Sequence, residues 1–326
     1  MSKTAPDQGA QNHAYHAASR DASTREWVVY TAAVHVSRRA VDELAAALER
    51  RRAQAGTRWR KLDAVTQAVL TIVYLRTNLT FAELAHGNGV DASTMWRNVT
   101  EGIAVLAGRA VRLKDVVRLA RKMGWEYLLV DGTVVPTVAF GRKVTPKQKH
   151  YSGKHKRHGV NIQAVCAPDG TLLWCSAALP GACNDAKAFA RHKIAQKTAG
   201  LIGLLADLGY KGISAVITGW KKPRGGQLTA AQKAANRVHA ALRSIGERGN
   251  AQLKYWRVLS GELRCRPGNC TRVVKACLAL HYLENDPFAA RARGTIPVPD
   301  LPGPDNLRLP DGAAARPCRA AAARPA

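Results

Sequence analysis

The sequence predicts an all-α N-terminal domain followed by an α/β domain, and three observations carry that reading. Apolar residues recur at helical spacing from residue 26 to residue 123. Beyond Gly124, short apolar runs bounded by turn residues take over, as strands require. A long stretch from Thr229 then returns to helical spacing. Strands first and helices later, with mixed connections, argue a layered α/β fold over 124–286.

Residues 1–25 are polar and weakly patterned, and read as a mobile tail. Val41, Leu44, Ala45 and Leu48 mark the first amphipathic helix, which runs into Arg50-Arg51-Arg52. Leu62, Val65, Val69, Ile72 and Val73 mark the second. In LTFAELAHGNGVDASTMWRNV (79–99), Thr80 and Glu83 form a capping box opening a short helix. Gly87-Asn88-Gly89 supplies a tight turn, and Asp91 caps the helix that follows. Leu84, Ala85, Val90, Met95 and Val99 are spaced to pack those two helices together. The pattern is that of a helix-turn-helix, its core within 58–110.

Tyr127–Val130 reads as a buried strand, with Thr133–Phe140 its continuation or a hairpin partner. Val160–Ala167, Pro168-Asp169-Gly170 and Thr171–Ala178 form a strand-turn-strand signature. Asn184-Asp185 can cap a helix through Ala186–Lys193, and Leu201–Ala206 reads as another short strand. Thr229 and Gln232 make a second capping box at the start of the long helix. From 287, and most plainly from Ile296, the composition shifts to Pro, Ala, Gly and Arg. Such a tail buries too little apolar surface to offset its ordering entropy and should be disordered.

Charge narrows the function. Lys and Arg number 50 against 23 Asp and Glu, a net charge of +27. That excess predicts a polyanionic partner, nucleic acid before an anionic membrane surface. No run approaches the roughly 18 apolar residues of a spanning helix. The polar N-terminus is not a signal peptide, so a cytoplasmic, nucleoid-associated protein is expected. The seven cysteines (166, 175, 183, 265, 270, 277, 318) are odd in number and form no CxxC, which argues against a disulfide framework. A zinc site from His150, His155, His158 and a cysteine is disfavoured, because those histidines lie in a Lys/Arg-rich run.

Ser93, Thr94 and Arg97 fall near the outer face of the second helix of the helix-turn-helix, where short hydroxyls and an arginine suit base edges and phosphates. A structural helical hairpin would share this pattern, and the surrounding positive charge favours DNA. No Asp or Glu occurs from Gly132 to Pro168, whereas Arg142, Lys143, Lys147, Lys149, Lys154, Lys156 and Arg157 crowd one stretch. With Tyr151 interleaved, this is a phosphate-tracking loop, or else a solvated one that repels itself without a polyanion.

Against that background three acids stand out. Asp131 ends the apolar run LLVD, and Asp207 ends LLAD. Carboxylates in such surroundings are costly unless protonated, paired or metal-bound. On the long helix, Arg243, Glu247, Asn250 and Lys254 share one face beside the apolar Val238, Leu242, Ile245, Leu253 and Trp256. Three converging carboxylates can hold two hard cations for in-line phosphoryl displacement. Taken singly, Asp131 and Asp207 could be strand-end caps and Glu247 an ion-pair partner of Arg243. Asp185 rivals Asp207 as second ligand, although it is also placed to cap its own helix.

The chain resembles the DDE-superfamily transposases of the insertion-sequence-five and Harbinger kind from about Arg58 to Asn285. The likeness rests on LTFAELAHGNGVDASTMWR, VDGT (130–133), YSGKHKRHG (151–159), PGACNDAKAF (180–189), LADLGYKG (205–212), KKPRGGQLT (221–229) and RSIGERGNAQLKYWRVLSG. It implies an RNase H-like mixed sheet with flanking helices. It also implies Asp131, Asp207 and Glu247 as ligands of two Mg²⁺ or Mn²⁺, with Arg243 and Lys254 in the signature around Glu247. Ala240 stands where the family has tyrosine, and Leu208 follows the second acid in place of a commoner polar residue. The implied activity is transposition: recognition of terminal inverted repeats, hydrolysis at element ends and joining of 3′-hydroxyls to target DNA. Double-stranded DNA and further copies of the chain are the implied partners. Lys154, Lys156, Arg157, Lys221, Lys222 and Arg224 should grip the backbone. A domesticated endonuclease, and a non-catalytic regulator using only 58–110, are the rival functions. A tyrosine recombinase lacks its set of arginines here.

Overall fold

The computed structural model describes residues 34–56, 60–138, 150–198, 202–285 and 287. The expected tails, 1–25 and 287–326 (apart from residue 287), and Arg142, Lys143, Lys147 and Lys149 lie outside them.

Among the described residues five helices come first. α1 (Arg38–Gln54) buries Ala40, Val41, Leu44, Ala45 and Leu48, the stripe expected from its spacing. Asp63 caps α2 (Ala64–Thr77), which is buried along most of its length. The Thr80–Glu83 capping box opens α3 (Phe81–His86) with both reciprocal hydrogen bonds formed. Gly89 turns the chain at φ +62°, a conformation that suits a residue without Cβ, and Asp91 caps α4 (Ala92–Gly108). α5 (Leu113–Lys122) leads into the sheet.

β1 (Tyr127–Pro136) is the central strand. It pairs antiparallel with β3 (Arg157–Cys166) and parallel with β6 (Gly203–Leu205). β3 also carries β2 (Tyr151–Ser152), β4 (Leu172–Cys175) and β5 (Leu179–Pro180), all antiparallel. Beyond β6, Ile217 adds one parallel bridge to Leu205. The directions and order, β4-β3-β1-β6 and then Ile217, are those of an RNase H-like mixed sheet. Thr133 proves to continue β1 rather than begin a hairpin partner. Residues 127–130 are buried without interruption, and from Asp131 the pattern alternates, because one face of the strand then opens.

After β5 come the short helices α6 (Asp185–Arg191) and α7 (Ile194–Thr198). The long helix α8 (Ala230–Lys254) crosses the sheet behind the Thr229–Gln232 capping box. Its closest approach is made by Gly246 and Gly249, which are buried between Leu242 and Leu253. A Cβ on Gly249 would stand 2.1 Å from Cys166 Sγ, so only glycine lets the helix lie this near β3. Past α9 (Arg257–Ser260), α10 (Pro267–Glu284) packs mainly on α4, and one apolar core runs through the helical and α/β regions. Among the described residues, no helix is long and apolar enough to cross a membrane.

Candidate active site

Asp131 sits in mid-strand, at the point where β1 passes from full burial to alternation. Its Oδ1 accepts from the backbone N–H of Gly132 at 2.9 Å, and its Oδ2 from Asn250 Nδ2 at 2.7 Å. The second bond spans 119 residues and sets Asn250, which shares a helical face with Arg243, Glu247 and Lys254, against β1. Glu247 lies between Arg243 and Asn250 on that face and is exposed. Asp207 follows β6 and caps a single 3₁₀ turn (Leu208–Tyr210), its Oδ1 accepting from Gly209 N–H at 2.8 Å.

The electrostatics join Asp131 to Asp207 and Asp185, and not to Glu247. Burial, and then Asp207, hold the Asp131 carboxyl above its ordinary range, with Asp185 adding; the Gly132 N–H and Arg243 oppose the shift. Burial followed by Asp185, Asp131 and Asp207 keeps the Tyr210 hydroxyl far above its usual value, so it remains a proton donor. Asp131, Asp185 and Asp207 therefore lie within electrostatic reach of one another, beside the middle of β1 and the end of β6.

Asp185 behaves differently from the sequence expectation. Asn184 alone caps α6, through Lys187 N–H, while the Asp185 side chain turns to the sheet. Its Oδ1 accepts from Asn161 Nδ2 at 2.7 Å and Gln163 Nε2 at 3.4 Å. Gln163 in turn donates to Asn161 Oδ1 and accepts from Tyr210 O–H at 2.6 Å. Gly132 makes room for the carboxylate, since a Cβ there would stand 2.0 Å from Asp185 Oδ1. Asn161 and Gln163 were missed at the sequence level. The available signal was two amides at i and i+2 within the apolar run VNIQAV, a polar face on a buried strand.

The oxygen-rich donor set fits hard divalent cations. Among the described residues no three acids or histidines close on one ligating point. Mg²⁺ needs no such cage, because it takes one or two carboxylates and fills its shell with water and substrate phosphate. The half-buried, mutually repelling carboxylates and the orphaned Asn250 Oδ1 are what a bound cation and its water would satisfy.

The residues expected to contact DNA fall on three separate surface segments. Lys154, Lys156 and Arg157 are exposed on the tip of the β2–β3 hairpin. Burial, then Lys154 and Arg157, lower the His155 imidazole from its ordinary value, with Asp185 opposing and Lys254 adding. The tip is thus within electrostatic reach of Asp185 and of Lys254 on α8. Lys221, Lys222 and Arg224 are exposed on the loop before α8, which is clamped where Asn236 bonds both backbone groups of Trp220. Ser93 and Thr94 are at the start of α4, but both hydroxyls donate to Asp91 and keep only acceptor capacity for a ligand. Arg97 is exposed one turn on, beside Trp96.

Comparison with known proteins identifies the family. Residues 130–282 match the DDE superfamily endonuclease family, and residues 60–111 match the helix-turn-helix of DDE superfamily endonuclease. The probable transposase for insertion sequence element IS702 of Microchaete diplosiphon is 29% identical over 63% of this chain and 75% of that protein. The putative transposase for insertion sequence element IS112 of Streptomyces albus G is 30% identical over 69% of this chain and 82% of that protein. The Mos1 strand transfer complex aligns over 74% of this chain and 80% of that one, at 11% identity and a TM-score of 0.19, too low to bear on the fold. Carboxylates on β1 and after β6, joined by a long helix behind a helix-turn-helix, and relatives of this kind agree: the chain belongs to the DDE superfamily endonucleases, as an insertion-sequence transposase with a helix-turn-helix.

Proposed function

We propose that the protein recognises the terminal inverted repeats of its element, hydrolyses phosphodiester bonds at the element ends and joins the freed 3′-hydroxyls to target DNA. The observation that carries this reading is the Asn250–Asp131 hydrogen bond, which sets Asn250, on the Glu247 face of α8, against the strand that faces Asp207. Asp131, Asp207 and Glu247 would hold two Mg²⁺ or Mn²⁺. When bound, such ions stabilise the attacking and leaving oxygens of an in-line displacement.

The remaining work falls to the chain's own side chains. Asn250 and the Gly132 N–H fix the Asp131 carboxylate by one bond to each oxygen. Arg243 offsets part of the charge on Asp131 and, with Lys254, would hold substrate phosphate. Asn161 and Gln163 orient Asp185 as a supporting carboxylate rather than a cap. The hairpin tip and the Lys221–Arg224 loop grip the DNA backbone, and the protein acts as an oligomer on two element ends.

Metal-dependent nicking of a terminal-repeat duplex tests the reading. A protein that binds this duplex and never nicks it would be a regulator, and one that nicks without joining would be an endonuclease. Binding should depend steeply on salt, because a +27 chain displaces many counterions. An affinity that barely changes between about 50 and about 200 mM salt would remove the electrostatic basis of the proposal. Changing Lys154, Lys156 and Arg157 together to Ala should weaken binding to every DNA. It should also lower the salt slope by about one for each lost phosphate contact. An unaltered slope would make the hairpin tip a bystander.

A further inference from the structure

A cavity of about 430 Å³ opens at the seam between the helix-turn-helix and the C-terminal helix α10. Its floor is apolar and aromatic: Tyr74 and Phe81 stack with centroids 4.9 Å apart and planes 10° from parallel, beside Ile103 and Val273. Trp96, 50% exposed, stands at one side. Arg264, Arg266 and Arg272 complete the lining, and no lining residue carries a carboxylate. Arg264 is anchored on Asn78, and among the described residues none of the three arginines pairs with an acid.

We propose that this cavity captures an unpaired nucleotide at a DNA strand end. The inference rests on the DNA-processing function proposed above and adds a subsite to it. Duplex phosphates alone would require only the arginines; the half-exposed indole of Trp96 and the partly exposed ring of Phe81 give a phosphate nothing and give a base a stacking surface. Guanidinium groups around that floor supply the bidentate donors that a nucleotide's phosphate accepts. A paired base is stacked within its helix and presents no face to such a floor, so the cavity selects the unpaired state. Its position supports the same occupant. Trp96 lies on α4, the helix that also carries Ser93, Thr94 and Arg97, so the cavity borders the helix expected to meet duplex DNA. Strand cleavage at an element end is the step that creates such unpaired nucleotides.

The test uses the full-length protein with two terminal-repeat duplexes, one blunt and one bearing a short single-stranded overhang whose first unpaired base is 2-aminopurine. Binding is followed by anisotropy, and stacking by 2-aminopurine fluorescence. The overhang should raise affinity about tenfold, as stacking of a base on an aromatic platform does, and its fluorescence should be quenched. Arg266→Ala with Arg272→Ala should remove that preference and change blunt-duplex affinity little. Trp96→Ala should restore the fluorescence, whereas Arg97→Ala should weaken both duplexes alike. Wild-type protein that binds both duplexes equally overturns the inference and leaves the proposed function standing. So does an arginine double variant that keeps the preference or weakens both duplexes equally. A protein that binds neither duplex refutes the proposed function, and this inference with it.

Discussion

Asp131→Asn, Asp207→Asn and Glu247→Gln should each abolish metal-dependent cleavage while leaving DNA binding intact, and Asp131→Asn should melt above the wild type in chelator. The activity loss should exceed the roughly 10–100-fold that removal of an outer-sphere partner costs a metal site. Folding should survive each change. An asparagine can cap the turn that Asp207 caps, Glu247 is exposed, and an amide in place of the Asp131 carboxylate can keep both of its bonds. A flip of the Asn250 amide would turn its unpartnered Oδ1 toward the N–H₂ that the Asp131→Asn change introduces. The higher melting point follows from linkage. Asp131 has its carboxyl raised in the fold by burial, Asp207 and Asp185, so the folded state binds that proton more tightly than the unfolded chain. The resulting stability is complete below the unfolded value, near 3.8, and is lost as pH rises through the raised folded value. At neutral pH the ionised carboxylate thus works against the fold, and asparagine removes that cost. The melting advantage of Asp131→Asn should shrink as pH falls through this window, and Mg²⁺ should stabilise the wild type more than the variant. An Asp131→Asn protein that melts lower at every pH would refute the electrostatic account. If Asp207→Asn still cuts while a folded Asp185→Asn is dead, the second metal ligand is Asp185.

Gly249→Ala should lower both stability and cleavage, and Cys166→Ala should restore much of each. The new Cβ would lie 2.1 Å from Cys166 Sγ, so α8 or β3 must move. Overpacking of this kind costs about 1–3 kcal/mol in a tight core. The kinetic penalty should be larger, because Glu247 and Asn250 ride on the displaced segment of α8. A shift of about 1 Å in a reacting group can cost about a hundredfold in rate. Truncating Cys166 removes the colliding sulfur, so the double variant should recover melting temperature and nicking together. Melts and single-turnover nicking of the two single variants and the double variant measure this coupling. Additive losses would show that the close approach at Gly249 does not set the position of the Glu247 face.

Much of this fold is legible because it is locally encoded. The capping boxes at Thr80–Glu83 and Thr229–Gln232 involve residues three apart, and both form as the sequence implies. The buried stripe of α1 and the packing residues of the helix-turn-helix follow from the 3.6-residue period alone. Asp131 and Asp207 stand out by chemistry, being charges set in apolar runs. The face of α8 that carries Glu247 is fixed by helix geometry before any partner is known.

Tertiary structure decided what those faces meet. Nothing local separates Asn184 from Asp185 as a cap; the answer depends on Asn161 and Gln163, more than twenty residues away on β3. The sequence marks Val238 and Ile245 as core, yet the deepest contacts of α8 are made by Gly246 and Gly249, whose value lies in the sulfur and leucine packed opposite. The bond from Asn250 to Asp131 and the arginines that ring the Trp96 cavity join segments far apart in the chain. The sequence by itself determined where the capped helices start, which of their faces pack inward and which acids stand out as candidates. The fold alone decided how those acids are oriented and what surrounds them, because local periodicity specifies one face of one element, whereas long-range packing selects the atoms set against it.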